Sequence, residues 1–216
     1  MPAMADAPQP TVGAAIVGVI LAGGQSRRFG ADKALASLDG APLIDHVIRR
    51  AAPQVARLII SGRDAARFAA FGLPVVQDVL RDSGVGGGLG PLAGIHAALQ
   101  WFAAQEGTMS WLASFPVDTP LLPLDLVARL RAAAERDGAE VACVRAAGRR
   151  HPLLALWSPA LRDDLARALR NGDYAAHRFI ETRRAAIVDF TYGTQDPFAN
   201  VNTPEDLARL KRKLEG

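Results

Sequence analysis

The chain has 216 residues, of which 50% are hydrophobic and 22% are charged, and its mean hydropathy is +0.10. These proportions exclude an intrinsically disordered chain, which is poorer in apolar residues, and a collagen-like chain, which carries periodic glycine. Domains commonly hold about 100–200 residues, so the length fits one globular domain with a sizeable core.

The charge balance is slightly basic, with 25 lysines and arginines against 22 aspartates and glutamates, a formal net charge of +3 and a pI near 9.5. The basic residues are spread among acidic ones, whereas nucleic-acid-binding proteins usually concentrate them. This distribution favours small anionic ligands and no nucleic-acid partner. The one cysteine, Cys143, cannot form an internal disulfide, which agrees with a cytoplasmic location.

No membrane partner is expected from the sequence. The longest apolar stretch, residues 13–21, is about half of the ~20 residues that a membrane-spanning helix needs. It does not resemble a signal peptide either, because residues 1–10 carry no lysine or arginine. Residues 1–12 hold three prolines and no periodicity, so we predict a flexible tail there, followed by a single domain over residues 13–216.

The first predicted element is a strand from Ala14 to Leu21, whose unbroken apolar and β-branched residues are typical of a strand buried on both faces. Similar runs recur along the chain, separated by segments with one apolar helical face. This alternation predicts parallel βαβ units joined by right-handed crossovers. The further predicted strands cover residues 58–60, 74–76, 111–115, 141–144 and 186–188. The predicted helices cover residues 43–52, 92–102, 124–134, 159–170 and a last segment from Pro204, while residues 174–182 are less regular.

A glycine-rich turn after the first strand carries the strongest chemical signal. Residues 21–30 read Leu-Ala-Gly-Gly-Gln-Ser-Arg-Arg-Phe-Gly, and Asp32 and Lys33 follow. Glycines let the backbone approach a phosphate, Arg28 can grip phosphate oxygens as a planar fork, and Lys33 adds a compact charge. The spacing matches neither the P-loop nor the dinucleotide fingerprint. We therefore predict a phosphate-binding loop of another class, the alternative being an ordinary turn with exposed basic side chains.

A single carboxylate follows a later strand, in the segment Ser114-Phe115-Pro116-Val117-Asp118-Thr119-Pro120. Open α/β sheets bind ligands outside the carboxyl ends of their strands. One carboxylate there suits Mg²⁺, because substrate phosphates can complete the shell of that ion. Asp118 is therefore a candidate metal ligand, and a local turn or a cap on the helix beginning near Pro123 is the alternative.

Two amides stand near the end of the chain, in Asn200-Val201-Asn202-Thr203-Pro204. They lie on the same side if the segment is extended. They can donate to ligand oxygens or coordinate a metal, although Asn202 also fits a simple turn residue. Thr203 is predicted to cap the last helix, with Pro204 at its first position and Asp206 at its third.

These motifs together with Asp78 and the turn Gly90-Pro91-Leu92-Ala93-Gly94 resemble the molybdenum cofactor guanylyltransferase family, in order and spacing, over nearly the whole chain from about Val17. The resemblance implies a Rossmann-like three-layer α/β/α fold with a mostly parallel sheet, of the nucleotidyltransferase type. It also implies a nucleotide-binding part at about 13–120 and an acceptor-binding part at about 121–216.

The family's reaction transfers GMP from GTP to the terminal phosphate of molybdenum-molybdopterin, which gives the guanine dinucleotide cofactor and pyrophosphate. The resemblance implies Mg²⁺ as cofactor, GTP and molybdenum-molybdopterin as substrates, and molybdenum-insertion proteins and molybdoenzyme chaperones as partners. It implies three catalytic residues: Arg28, Lys33 and Asp118, the last also holding the metal. The nucleotide contacts that it implies are Leu21, Ala22, Gly23, Gly24, Lys33, Asp78 and Asp118, and the acceptor contacts are Asn200, Asn202 and His151.

Two features depart from the family pattern. Ser61 stands where an asparagine contact to the nucleotide is expected, so we assign that contact to Ser61. The loop from Asp82 to Gly90 is longer and richer in glycine than usual, and we predict that it is mobile.

Three other functions fit parts of the sequence. A sister enzyme would use CTP, or a sugar phosphate as acceptor, although Gly23-Gly24 favours guanine. A nucleotide-binding adaptor without catalysis has no need of Arg28, Lys33 and Asp118 together. A nucleic-acid-binding protein has only the pI in its favour.

Overall fold

The structure is a computed structural model, and it describes residues 15–23, 29, 32–77, 89–105, 109–194 and 196–215. The strands are β1 (Ala15–Leu21), β2 (Ser37–Leu38), β3 (Ala41–Pro42), β4 (Arg57–Ser61), β5 (Val75–Val76), β6 (Met109–Pro116), β7 (Val141–Ala146), β8 (Arg149–Trp157) and β9 (Ala185–Phe190). The α-helices are α1 (Leu43–Ala51), α2 (Pro91–Ala103), α3 (Leu126–Asp137), α4 (Arg162–Arg170), α5 (Ala176–Glu181) and α6 (Pro204–Glu215). Short 3₁₀ helices lie at Lys33–Leu35, Ala52–Gln54, Ala66–Phe71 and Pro159–Leu161.

Seven strands form the central sheet, in the order β5-β4-β1-β6-β8-β7-β9, and β2 and β3 form a separate small hairpin. Strand β8 runs antiparallel to both of its neighbours, while the other paired strands of the sheet are parallel. The predicted mostly parallel sheet is therefore confirmed.

Helices cover both faces of the sheet. Helices α1 and α3 pack on one face, where Ile20 of β1 is buried, and α2, α4 and α5 pack on the other, where Val19 of β1 is buried. A strand with apolar side chains on both faces has to be covered on both faces, which explains its unbroken apolar sequence. The three-layer α/β/α fold is confirmed.

Strand β8 is the main element that the sequence pattern did not predict. It begins with Arg149, Arg150 and His151, and its residues become fully buried only toward Trp157. A polar start without β-branched residues gives a weak strand signal. The turn before it holds Ala147 and Gly148, both at positive φ, which is unusual for alanine. The predicted helix at 159–170 is also divided, since a 3₁₀ turn precedes α4.

Two predictions lie outside the described residues: the tail at 1–12 and most of the glycine-rich loop, residues 82–88. Within the part of the chain that the structure describes, no helix is both long and apolar enough to cross a membrane.

The parallel strands bring their carboxyl ends to one edge of the sheet. Strand β1 ends there at Leu21, β4 at Ser61 and β6 at Pro116. Because β8 is antiparallel, it begins at this edge with Arg149. Ligands of open α/β sheets bind at such an edge, so the fold places most of the predicted site residues where a ligand is expected.

Candidate active site

The ammonium group of Lys33 joins distant segments of the chain. Its Nζ donates to Asp118 Oδ2 at 2.8 Å and to Asn202 Oδ1 at 2.9 Å, across 85 and 169 sequence positions respectively. The side chains of Lys33 and Asp118 are 12% and 23% exposed, so the pair is largely shielded from solvent. The structure thus brings together a predicted nucleotide residue, the predicted metal ligand and a predicted acceptor residue.

Local structure fixes the backbone of Lys33. Lys33 begins a 3₁₀ helix, and the Asp32 carboxylate caps it by accepting a hydrogen bond from Ala34 N at 3.0 Å. Ala34 is buried, so this turn is also anchored in the core. A capped and anchored turn restricts the positions that the lysine side chain can reach.

The turn that carries Asp118 is tied to two other segments by backbone hydrogen bonds. Val117 N donates to Leu21 O at 3.3 Å, and Val201 N donates to Asp118 O at 2.9 Å. Helix α3 begins only at Leu126, so Asp118 does not cap it. The capping alternative is therefore wrong, and the carboxylate stands at the carboxyl edge of the sheet.

Both predicted asparagines have their side-chain oxygens occupied by internal donors. Thr119 Oγ1, which is fully buried, donates to Asn200 Oδ1 at 3.0 Å, and Lys33 donates to Asn202 Oδ1. A lysine ammonium only donates, so Asn202 must direct its oxygen toward Lys33 and is left with its amide N–H groups for other partners. Val201, between them, is buried. The two amides therefore offer donors, which suits an anionic ligand better than a metal.

The start of α6 holds in place the segment that carries the two asparagines, residues 198–203, which we call the asparagine segment. Thr203 Oγ1 accepts from Asp206 N at 3.2 Å, as the predicted cap requires, and Asp206 Oδ2 accepts from Asn202 N at 3.0 Å and from Thr203 N at 3.1 Å. The hydrogen bonds from Asn202 N and then Thr203 N lower the pKa of Asp206. The predicted cap is confirmed, and it fixes the backbone of Asn202.

His151 reaches the asparagine segment through an aromatic contact. Its ring centroid lies 5.4 Å from that of Phe198, which is buried and also contacts Phe190 and Tyr192. Burial lowers the pKa of His151, with a smaller opposing influence of Asp196. The pKa shift favours the neutral form of His151, and the ring contacts Phe198, two residues before Asn200.

Some of the backbone groups predicted to contact guanine already form hydrogen bonds within the protein. Ala22 N donates to Ser61 O at 2.9 Å, and Leu21 O accepts from Val117 N. Gly23 is exposed, and the Ser61 hydroxyl is buried beneath Gly94 of α2, where a Cβ atom on Gly94 would meet Ser61 Oγ at 2.5 Å. Within the described residues, the backbone of Gly23 and the carbonyl of Ala22 form no hydrogen bond that would compete with a base. The predicted site residues Gly24, Arg28 and Asp78 lie outside the described residues.

Comparison with known proteins establishes the family of this chain. The MobA-like NTP transferase domain matches residues 18–187. The chain belongs to this family. A relative from Rhodopseudomonas palustris (strain BisB5), named molybdenum cofactor guanylyltransferase, is 45% identical over 90% of this chain and 91% of its own length.

Solved structures agree on the MobA-like fold. A protein from Archaeoglobus fulgidus, described as molybdopterin-guanine dinucleotide biosynthesis protein A, superposes with a TM-score of 0.72 at 24% identity, over 92% of this chain and 98% of that chain. A Mycobacterium tuberculosis protein solved in complex with manganese has a TM-score of 0.68 at 19% identity, with the same coverage of 92% and 98%. At these identities the likeness shows the fold.

The residues of this MobA-like domain fit a divalent metal that is shared with a substrate. Among the described residues no three histidines, cysteines or carboxylates are grouped to form a metal cage, and Asp118 is the carboxylate at the site. Mg²⁺ takes one or two carboxylates and lets substrate phosphates supply further oxygens. A partly shielded carboxylate such as that of Asp118 therefore suits a metal that arrives with a nucleoside triphosphate.

Two residues of the MobA-like site were not assigned a role from the sequence. Thr119 belongs to the motif around Asp118, and its position next to that carboxylate was the one feature of the sequence that could have indicated a role. Phe198 lies two residues before Asn200, and an aromatic residue in a polar segment was its only signal. Both act by holding the asparagine segment, through a hydrogen bond and through ring contacts respectively.

Proposed function

We propose that this chain transfers GMP from GTP to the terminal phosphate of molybdenum-molybdopterin, with release of pyrophosphate. The name of the R. palustris relative, molybdenum cofactor guanylyltransferase, supports this substrate pair. The observation that carries the proposal is the position of Lys33, whose ammonium contacts both Asp118 and Asn202. A transferase needs residues of the nucleotide side and of the acceptor side in contact, because the donor triphosphate and the acceptor phosphate must meet at one point.

The reaction needs no protein nucleophile. An acceptor phosphate oxygen attacks the α-phosphorus of GTP in line, a new P–O bond forms, and the bond to pyrophosphate breaks. The one thiol of the chain takes no part, since Cys143 is buried in the sheet and burial raises its pKa to about 11. Catalysis therefore depends on positioning and on charge stabilisation.

Two cationic side chains act on the triphosphate in this proposal. Lys33 leaves Asp118 and compensates the charge that develops on the phosphates, and Arg28 grips phosphate oxygens from the glycine-rich loop. Asp118 and the substrate phosphates would hold Mg²⁺, which would supply further compensation of the phosphate charge. Guanine is held at Leu21–Gly23 by the carbonyl of Ala22 and the backbone of Gly23, since Leu21 O and Ala22 N form hydrogen bonds within the protein. Gly24, Ser61 and Asp78 complete the nucleotide contacts.

The acceptor binds on the other side of Lys33. The amide N–H groups of Asn200 and Asn202 donate to acceptor oxygens, and the ring of His151 lines the same side. Residues 13–120 thus serve the nucleotide and residues 121–216 the acceptor. We expect the enzyme to act in the cytoplasm, with molybdenum-insertion proteins and molybdoenzyme chaperones as its further partners.

Substitution of the metal ligand tests this function. Asp118→Ala is expected to abolish dinucleotide formation, because the metal is lost, while GTP binding measured without Mg²⁺ by calorimetry survives. Asp137→Ala, which removes a surface carboxylate paired with Arg136, is the matched control and keeps full turnover. Undiminished guanylylation by Asp118→Ala would refute the role of the metal.

A further inference from the structure

We propose that Arg67 is a positioning residue that holds Lys33 in place through Asp32. The inference rests on the proposed function to the extent that Lys33 acts on the triphosphate. Arg67 lies on the 3₁₀ helix Ala66–Phe71, which follows the end of β4, and no catalytic motif of the sequence includes it.

The contact between Arg67 and Asp32 is direct. Arg67 Nη2 donates to Asp32 Oδ1, and the two side chains are 24% and 30% exposed, so the ion pair is partly protected from solvent. The same oxygen, Asp32 Oδ1, accepts the capping hydrogen bond from Ala34 N. One carboxylate oxygen therefore links Arg67 to the cap of the helix that begins with Lys33.

The segment that carries Arg67 is itself held firmly. Phe68 is fully buried and packs over Gly62, where a Cβ atom would lie 2.6 Å from the Phe68 ring. The guanidinium of Arg67 lies over the Phe68 ring, 4.8 Å from its centroid. Arg67 is thus fixed to the end of β4, and a shift of Asp32 relative to β4 requires the ion pair to break.

One feature indicates that Arg67 is not there for stability alone. Its Nε atom is buried and has no hydrogen-bond partner within the described part of the chain. A buried N–H without an acceptor is unfavourable, and no described residue offsets that cost at this atom. The contacts with Asp32 and Phe68 set the orientation of the guanidinium. In this orientation Arg67 supports the turn that carries Lys33.

A series of contacts therefore connects the end of β4 to Lys33 and its two partners at the site. Arg67 holds Asp32, Asp32 caps the turn, and Lys33 then reaches both Asp118 and Asn202. Without Arg67, the carboxylate of Asp32 can turn away from the cap and Lys33 samples more positions. Coupled residues of one such network commonly interact strongly enough to change a rate about tenfold.

A double-mutant cycle tests the inference. Arg67→Gln is expected to lower kcat/KM for GTP, and the affinity for Mg²⁺–GTP without acceptor, by about tenfold. Arg67→Lys, which keeps the charge, should recover at least part of the loss. In a Lys33→Ala background, Arg67→Gln should change neither quantity by more than about twofold, since its effect passes through Lys33. An equal loss in both backgrounds, or no loss in the wild-type background, would overturn the proposal.

Two further measurements keep the test decisive. Arg131→Gln breaks a more exposed ion pair, with Glu135 on α3 away from the site, and should leave both quantities unchanged. Urea unfolding of each variant shows whether it is folded, and if Arg67→Gln is not, Asp32→Asn in the two Lys33 backgrounds replaces it under the same criteria. Because GTP affinity is measured without acceptor, a failure of the proposed transfer reaction alone leaves the result for Arg67 intact.

Discussion

At the scale of single residues, Lys33 and a metal ion compete for the carboxylate of Asp118 in the proposed reaction. The ammonium of Lys33 lies 2.8 Å from Asp118 Oδ2, on the carboxylate that would hold a metal. The positive charges of Lys33 and of a metal would repel each other at one carboxylate, so the two compete until a triphosphate draws the lysine away. The pair therefore favours a metal that arrives together with the nucleotide.

Removal of the lysine charge tests this competition. Lys33→Gln is expected to bind Mn²⁺ without nucleotide about tenfold more tightly than the wild type, a coupling of ordinary size between two ligands of one site. The same variant should lose turnover, because the triphosphate loses a cation. Mn²⁺ titration followed by electron paramagnetic resonance measures the affinity, with Lys213→Gln on α6 as control. An unchanged or weaker Mn²⁺ affinity would contradict the competition.

Some of these residues could be predicted from the sequence, whereas their contacts could not. Asp118 and Lys33 were identified from motifs, and the resemblance placed Asn202 on the acceptor side. The hydrogen bond between Lys33 and Asn202 spans 169 positions and depends on how the segment before α6 packs, so no local pattern predicts it. Arg67 gave no signal, because it belongs to no motif and a lone arginine in a short helix is common on any protein surface.

At the scale of elements, the packing of α2 on the ends of β1 and β4 controls the shape of the nucleotide side. Gly94 permits this close approach, since a Cβ atom there would lie 2.5 Å from Ser61 Oγ and 3.1 Å from Leu21 Cδ2. The buried strands were predicted well because β-branched runs are strong signals. Strand β8 was missed because its first residues are polar and its turn contains alanine at positive φ.

Gly94→Ala tests the close packing of α2. Alanine gains about 1 kcal/mol of helix propensity over glycine, but overpacking in a buried position commonly costs about 1–3 kcal/mol. We expect a net loss of about 1 kcal/mol in the free energy of unfolding, partly restored by Ser61→Ala, together with weaker GTP binding. Urea unfolding and calorimetry measure the two effects, and Gln100→Ala on the exposed side of α2 is the control. A stabilised Gly94→Ala protein with normal GTP affinity would disprove the close contact.

At the scale of the whole molecule, two histidines, the buried His96 and the half-buried His151, connect stability to pH. His96 of α2 is buried, and neither ring nitrogen has a hydrogen-bond partner among the described residues. Burial, then Arg162 and Arg170, lower the pKa of His96 against a smaller influence of Asp163, and burial lowers the pKa of His151. The native protein therefore takes up these protons at lower pH than the unfolded chain, whose histidines titrate near 6.5.

The sign of the pH effect follows from this difference. Below pH ~6.5 the unfolded chain binds more protons than the native protein, so the free energy of unfolding falls as the pH drops through this range toward the lowered native pKa values. His96→Leu should reduce the fall between pH 7.5 and 5.5, whereas exposed His177→Gln should not. Urea unfolding at both pH values measures this, and an equally steep fall in His96→Leu would contradict the role of His96.

The basic excess of the chain has a local explanation at this same scale. Most described arginines are engaged with carboxylates, as in the pairs Arg145–Asp189 and Arg183–Asp164, so they do not form one basic surface. Small anionic substrates at the carboxyl edge of the sheet suit this arrangement better than nucleic acid. The pI near 9.5 is therefore compatible with an enzyme of phosphorylated substrates.

The central claim is guanylyl transfer, and competition between nucleotides tests it most directly. Purified protein is incubated with Mg²⁺, molybdenum-molybdopterin and equal concentrations of GTP and CTP, and the dinucleotides and pyrophosphate are quantified. We predict that the guanine dinucleotide is the dominant product, with one pyrophosphate released for each molecule formed. A predominance of the cytosine dinucleotide, or nucleotide binding without any dinucleotide, would contradict the proposed function.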